Sequence, residues 1–145
     1  MLNARKLLER KPGKTPPIHA IDPDEPVLEA IELMSERGIG ALLVMKGTEL
    51  KGIVTERDYA RKVVLLGRSS SDTPVWQIMT SPAVTVTPED NIETCMRLMT
   101  DKRVRHLPVV AHDKVIGVLS IGDLVKAIID EQKQTIEQLE AYIRS

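Results

Sequence analysis

Aromatic side chains are almost missing from this chain, which has no Phe, one Trp and two Tyr. That excludes the stacking platforms on which proteins hold single-stranded nucleic acid, and it leaves Val, Ile, Leu and Met to build the core. An excess of one charge is missing as well. The 20 Lys and Arg residues stand against 21 Asp and Glu, whereas a duplex-binding domain is normally clearly basic, so nucleic acid is not an expected partner. The single cysteine, Cys95, rules out an intramolecular disulfide and suits a reducing compartment; a cytoplasmic location is the expectation. No apolar run approaches the roughly 20 residues that cross a bilayer, and no membrane partner is expected. The 145 residues are enough for one compact domain and too few for two ordinary ones.

Catalytic and metal constellations are also lacking. His19, His106 and His112 are scattered, without an i, i+4 pair or a cysteine partner, which argues against zinc. Cys95 falls on an apolar helix stripe and reads as a core residue rather than a nucleophile. Nothing assembles a nucleophile, a base and an orienting group, so no enzyme, no catalytic residue and no catalytic cofactor is expected.

What is present is a repeat. "GIVTERDYARKV" at 52–63 returns as "GVLSIGDLVKAI" at 117–128, and a shift of 65 residues aligns 19–59 with 84–124 without a gap. Pro23/Pro88, Leu33/Leu98, Met34/Met99, Leu42/Leu107, Val44/Val109, Gly52/Gly117 and Asp58/Asp123 are identical. Self-similarity of this kind marks a duplicated structural unit. Each copy opens on a short strand ("HAID", "VTVT"), and Asp22-Pro23 and Thr87-Pro88 read as helix starts. Val27, Ala30, Ile31, Leu33 and Met34, and their counterparts Ile92, Cys95, Met96, Leu98 and Met99, form the stripe of a half-buried helix. Two apolar runs then make a hairpin, and Thr55 or Ser120 opens a second helix. The unit is β-α-β-β-α, an α/β (α+β) fold in which two units pack sheet to sheet as one pseudo-symmetric module.

The conserved pattern within the repeat is G-x-x-[TS]-x-x-D. Gly in an apolar strand weakens it unless something approaches the backbone closely. A helix start offers N–H groups and a positive dipole end to an anion such as phosphate, and an acid three residues on can accept two hydrogen bonds from a ribose diol. The same residues also fit a capping box that only satisfies backbone donors. The two uses can coexist.

The repeated unit, the "RHLPVV" run and the twice-used G-x-x-[TS]-x-x-D resemble the tandem CBS domain, the cystathionine β-synthase motif pair or Bateman module, over roughly residues 17–130. "TERDYARKVVLLGRSSSDTPVWQIMT" and "IGDLVKAIIDEQ" are more similar still to stand-alone CBS-pair proteins of proteobacteria and plant mitochondria. The resemblance divides the chain into an N-terminal helix or arm (1–16), motif one (17–66), a linker with a short helix (67–81), motif two (82–130) and a helical extension (131–145). It implies a cleft for an adenosine compound such as AMP, ADP, ATP, S-adenosylmethionine or NAD, and regulation of a separate partner protein. A structural dimerisation module with empty clefts, or an enzyme on adenosine compounds, is the alternative.

Carried over onto this sequence, the resemblance implies ribose contacts at Asp58 and Asp123. Phosphate contacts fall at Thr55, Ser120, Arg105 and His106, with Arg57 and Arg103 flanking, and base contacts at Ala20, Ile21, Thr85, Val86 and Val104. Copy one has Gly40 and Ala41 where copy two has Arg105 and His106, so copy two is expected to supply the phosphate clamp. In the linker, Thr73 reads as an N-cap before Pro74, with Trp76, Ile78 and Met79 available for burial; Arg68 and Ser69–Ser71 read as a solvated stretch. Leu2, Leu7 and Leu8 share a face of a short first helix packed on the domain. The last helix continues past the repeat with Ile136, Leu139, Tyr142 and Ile143 on a partial apolar face. A homodimer contact, or packing back on the first helix near Leu7 and Leu8, would use that face.

Overall fold

The computed structural model describes residues 2–11 and 18–144; the expected junction between arm and motif one, at 16/17, lies outside them. The elements are α1 (Ala4–Glu9), β1 (Ala20–Ile21), α2 (Val27–Arg37), β2 (Ala41–Lys46), β3 (Glu49–Thr55), α3 (Glu56–Tyr59, continued by a π turn over Ala60–Val64), a 3₁₀ turn (Val75–Gln77), α4 (Ile92–Lys102), β4 (His106–Ala111), β5 (Lys114–Ser120) and α5 (Ile121–Arg144). β1 runs parallel to β2, which pairs antiparallel with β3, while β4 and β5 form a second antiparallel hairpin. Both hairpins carry a register shift at the same repeat position, between Val44 and Met45 and between Val109 and Val110.

The first strand survives in copy one but shrinks in copy two to a single bridge, Val86 to Val109. The reason is one donor. Leu43 N–H donates to the His19 carbonyl (3.0 Å) in copy one, and the residue equivalent to Leu43 is Pro108, which has no N–H to give Val84.

The helix starts also differ from expectation. α2 and α4 begin at Val27 and Ile92, not directly after Pro23 and Pro88. Asp22 Oδ1 instead accepts the N–H of Asp24 (2.8 Å) and closes a local turn, and Asp90 Oδ2 accepts the N–H of Thr87 (2.8 Å). The residues between then pair with other segments. Val75 N–H donates to Glu25 O (2.9 Å) and Trp76 N–H to Pro23 O (3.0 Å); the counterparts are Ala4 N–H to Asp90 O (2.8 Å) and Arg5 N–H to Pro88 O (2.9 Å).

Those four bonds carry the duplication beyond the gapless match. Ala4 and Arg5 stand where Val75 and Trp76 stand, at a shift of 71 rather than 65. The segment before motif one packs on motif two, and the linker before motif two packs on motif one. One core holds Ala4, Leu7 and Leu8 with Cys95, Met99, Leu107, Leu119 and Leu124. The other holds Val75 and Ile78 with Val27, Met34, Leu42, Val44 and Val54.

The linker is a structural piece as well, although Arg68, Ser69 and Ser71 stay exposed. Its Thr73 and Ser70 carbonyls accept the first N–H groups of α2, from Val27 (2.8 Å) and Leu28 (3.0 Å), a task Pro26 cannot perform with its side chain. Tyr59 Oη and Ser70 Oγ are 2.8 Å apart. Thr73 is buried and donates its hydroxyl to Ser69 O (2.7 Å), so it does not cap the 3₁₀ turn, and Trp76 stays half exposed while Ile78 is fully buried.

The glycines now have a cause. A Cβ at Gly117 would lie 2.6 Å from Leu8 Cδ2, and one at Gly52 would run into the Thr80 carbonyl and stand 3.1 Å from Met79 Sδ. The close approach comes from the crossed segments of the chain itself. α5 leaves the module after Asp130: residues 131–144 are exposed, including Ile136, Leu139 and Ile143. Its outer turns do not pack back on α1.

Candidate functional site

Both G-x-x-[TS]-x-x-D stretches end a strand and open a helix. At the start of α3 the Thr55 hydroxyl accepts the Asp58 N–H (3.1 Å), and Asp58 Oδ2 accepts the Thr55 N–H (3.0 Å). Ser120 and Asp123 repeat this at α5, with bonds of 3.2 and 2.8 Å. Each pair is a reciprocal cap, and each acid also carries an ammonium. Lys62 Nζ lies 3.5 Å from Asp58 Oδ1 and donates to Ile78 O (2.9 Å). Lys11 Nζ lies 2.9 Å from Asp123 Oδ2 and donates to Val118 O (2.7 Å).

Between the two sheets lies a cleft of about 230 Å³ lined by His19, Ile39, Ala41, Leu42, Leu43 and Ile53 from motif one and by Lys11, His106, Val118 and Ser120 from the other side. Its walls are unlike. The motif-one wall is aliphatic apart from His19, while the motif-two wall gathers an ammonium, an imidazole and a hydroxyl. A slot of this kind suits a flat, mostly apolar ring on one side and a polar or anionic group on the other.

Burial alone would raise the Asp123 carboxyl, but the Ser120 N–H and the Lys11 ammonium outweigh it and hold the group below its ordinary value. Burial, helped by the positive charge of Lys11 and of Arg105 and opposed by Asp123, pushes His106 below the usual histidine value. The buried Cys95 thiol is pushed up to about 11 by burial and by the Asp90 charge, which keeps it protonated in its core.

Of the residues expected to meet a ligand, the cleft brings together His106 and Ser120, with Asp123 held behind Lys11. Thr55 and Asp58 stand at the start of α3, off the cleft wall. Arg57, Arg103 and Arg105 are exposed and are not on the wall. Arg103 occupies the left-handed position ending α4 (φ 55°), where copy one has Gly38 (φ 64°). Ile21 and Val86 are buried in the two cores, Ala20 and Val104 are half-buried, and Thr85 is exposed. Lys11 went unnoticed in the sequence because it lies outside the repeat and reaches the wall only through the crossing of α1.

Comparison with known proteins agrees with this architecture. The CBS domain profile matches residues 14–65 and 75–130. The chain is 45% identical over 126 residues to the mitochondrial CBS domain-containing protein CBSX3 of Arabidopsis thaliana, covering 83% of this chain and 61% of that longer protein. A putative signal-transduction protein with CBS domains from Burkholderia ambifaria shares 50% identity at a TM-score of 0.86, over 90% of this chain and 96% of that one. CBS domain protein PAE2072 from Pyrobaculum aerophilum, solved in complex with AMP, shares the fold at a TM-score of 0.77 and 24% identity, over 92% of this chain and 99% of that one. With its two repeats, its crossed connections and its inter-sheet cleft, the chain belongs to the CBS domain family as a tandem CBS pair.

Proposed function

We propose that this CBS pair binds an adenine nucleotide in the inter-sheet cleft and, as a homodimer, regulates a separate partner protein. The observation that carries the reading is the unlike pair of walls: aliphatic Ile39, Ala41 and Ile53 face Lys11, His106 and Ser120 across about 230 Å³. An adenine nucleotide has a flat base for the first wall and a phosphate for the second, and Asp123, behind Lys11 at the edge of the cleft, is the acid nearest the polar wall for a ribose diol. The AMP complex of the Pyrobaculum aerophilum relative supports the same ligand class. The role is regulatory, with no catalytic step assigned to the chain.

One observation favours a second reading, an assembly module with empty clefts. Asp58 and Asp123 are already satisfied by a backbone N–H and a lysine each. Thermal melting with adenosine, AMP, ADP, ATP, NAD and S-adenosylmethionine separates the two. A ligand at a hundred times its dissociation constant adds about 2.7 kcal/mol of stability, and no shift with any compound would leave the assembly role. Calorimetry on Asp58→Asn and Asp123→Asn then locates the ribose. Each keeps a capping oxygen, and the variant at the ribose site loses about 1.5–3 kcal/mol of binding.

A further inference from the structure

Two features of the cleft are unexplained by the repeat. Its polar wall carries a cation that neither motif supplies, and the acid of motif two spends its charge on that cation. Lys11 is the one lysine or arginine on the cleft wall among the described residues. It is three-quarters buried, and it is fixed from behind: Ala4, Leu7 and Leu8 sit in the motif-two core, Asn3 caps α1 by accepting the Lys6 N–H (3.0 Å), and the Lys11 N–H bonds Leu8 O (3.2 Å). The ammonium is thus delivered to a set place, beside His106 and Ser120. Among the described residues motif one brings no lysine or arginine to the wall, since Lys62, which holds Asp58, is off it and the positions facing the cleft there are aliphatic apart from His19.

We propose that Lys11, brought in from outside the repeat by α1, is the residue that binds the ligand's phosphate and fixes the direction in which the nucleotide lies. In the free protein the ammonium rests on Asp123 and the Val118 carbonyl. When a ribose diol takes Asp123, the ammonium turns to the phosphate, exchanging one charged partner for another within the same half-buried site. The base then lies against Ile39, Ala41 and Ile53, and the charged end points to motif two. A second groove of about 360 Å³ begins on the far side of Lys11 and is lined by Arg10, Lys126, Asp123 and Asp130 beside Leu7 and Ala127. With Lys11 counted, its three cations exceed its two acids by one, so the groove continues the positive side of the cleft beyond Lys11.

This inference rests on the nucleotide reading above, and the experiment keeps the two apart. Dissociation constants for adenosine and AMP are measured by calorimetry on the wild type, Lys11→Gln and Lys11→Arg. Lys11→Gln is expected to weaken AMP at least tenfold while changing adenosine less than twofold, and Lys11→Arg to stay within about threefold of wild type for AMP. A wild type that binds neither compound fails the nucleotide reading and the inference with it. A wild type that binds, with Lys11→Gln losing adenosine and AMP equally or losing neither, overturns the inference alone. If Lys11→Gln does not fold, differential acetylation of the wild type, read by mass spectrometry, decides. AMP must protect Lys11 more than adenosine does at equal occupancy, and equal protection overturns the assignment.

Discussion

Gly52→Ala and Gly117→Ala add the same methyl group at equivalent positions of the two motifs, and the crossed segments make their consequences unequal. At Gly52 the new Cβ meets the Thr80 carbonyl, which belongs to a two-way bridge: Ile53 N–H to Thr80 O (3.1 Å) and Thr80 N–H to Ile53 O (2.8 Å). Overpacking costs about 1–3 kcal/mol, the two strained hydrogen bonds add about 1 kcal/mol each, and the reduced freedom of the unfolded chain returns about 0.4–1 kcal/mol. A net loss of about 2–5 kcal/mol is expected. At Gly117 the contacts are the methyl ends of Leu8, at 2.6 and 2.9 Å, which can rotate away, and the loss is about 0–2 kcal/mol. Urea denaturation followed by circular dichroism measures both, provided the slope of the transition is unchanged. The partner substitutions sharpen the test. On a Leu8→Ala background, itself costing about 2–5 kcal/mol, Gly117→Ala becomes neutral or stabilising, whereas Met79→Ala leaves Gly52→Ala destabilising because the obstacle is main chain. Equal losses at the two glycines, or no rescue by Leu8→Ala, would show that the crossed segments do not set the cost.

Three further outcomes are expected. Arg103 holds a left-handed backbone that costs a non-glycine residue about 1–2 kcal/mol, so Arg103→Gly should stabilise the fold by about 0.5–1 kcal/mol in the same denaturation assay, and a destabilised variant would show that the side chain has another structural role. The outer turns of α5 expose Ile136, Leu139 and Ile143, each worth about 1.5–3 kcal/mol if fully covered; light scattering should find a dimer that Leu139→Asp with Ile143→Asp splits, and a wild type running at 16.1 kDa at high concentration would sink the dimer. Acid should act in two windows. His106 titrates below its ordinary 6.5 in the folded state, so the unfolded chain takes the proton first and stability declines as pH falls below 6.5. Asp123 titrates below 3.8, so its contribution is present above that value and lost as pH falls through the folded one. His106→Gln should flatten the first window in a pH series of melts while leaving the second, and an unchanged slope between pH 6.5 and 5 would count against it.

The elements and their duplication are legible in the sequence because helix stripes and strand runs are periodic, local signals. The stripe of Val27, Ala30 and Met34 faces its core as the spacing requires, and Thr55 and Ser120 open helices as their chemistry requires. The same locality explains where the reading stopped. Asp22-Pro23 carries the residues of a helix start, yet the chain there turns on itself and pairs with the linker, because the Asp22 turn and two backbone bonds to Val75 and Trp76 outweigh a local preference. Pro108 is unremarkable in an apolar run, and only pairing with a first strand makes its missing N–H matter. The tertiary structure decided which segment covers which motif. α1 and the linker exchange motifs at a shift that differs from that of the repeat, and no self-alignment with a single offset can hold both. That exchange filled the space above Gly52 and Gly117 with the chain's own atoms. It also carried Lys11 onto the cleft wall, where none of motif two's own lysines or arginines stands, because a side chain reaches a site through the packing of the helix behind it and not through its position in the repeat.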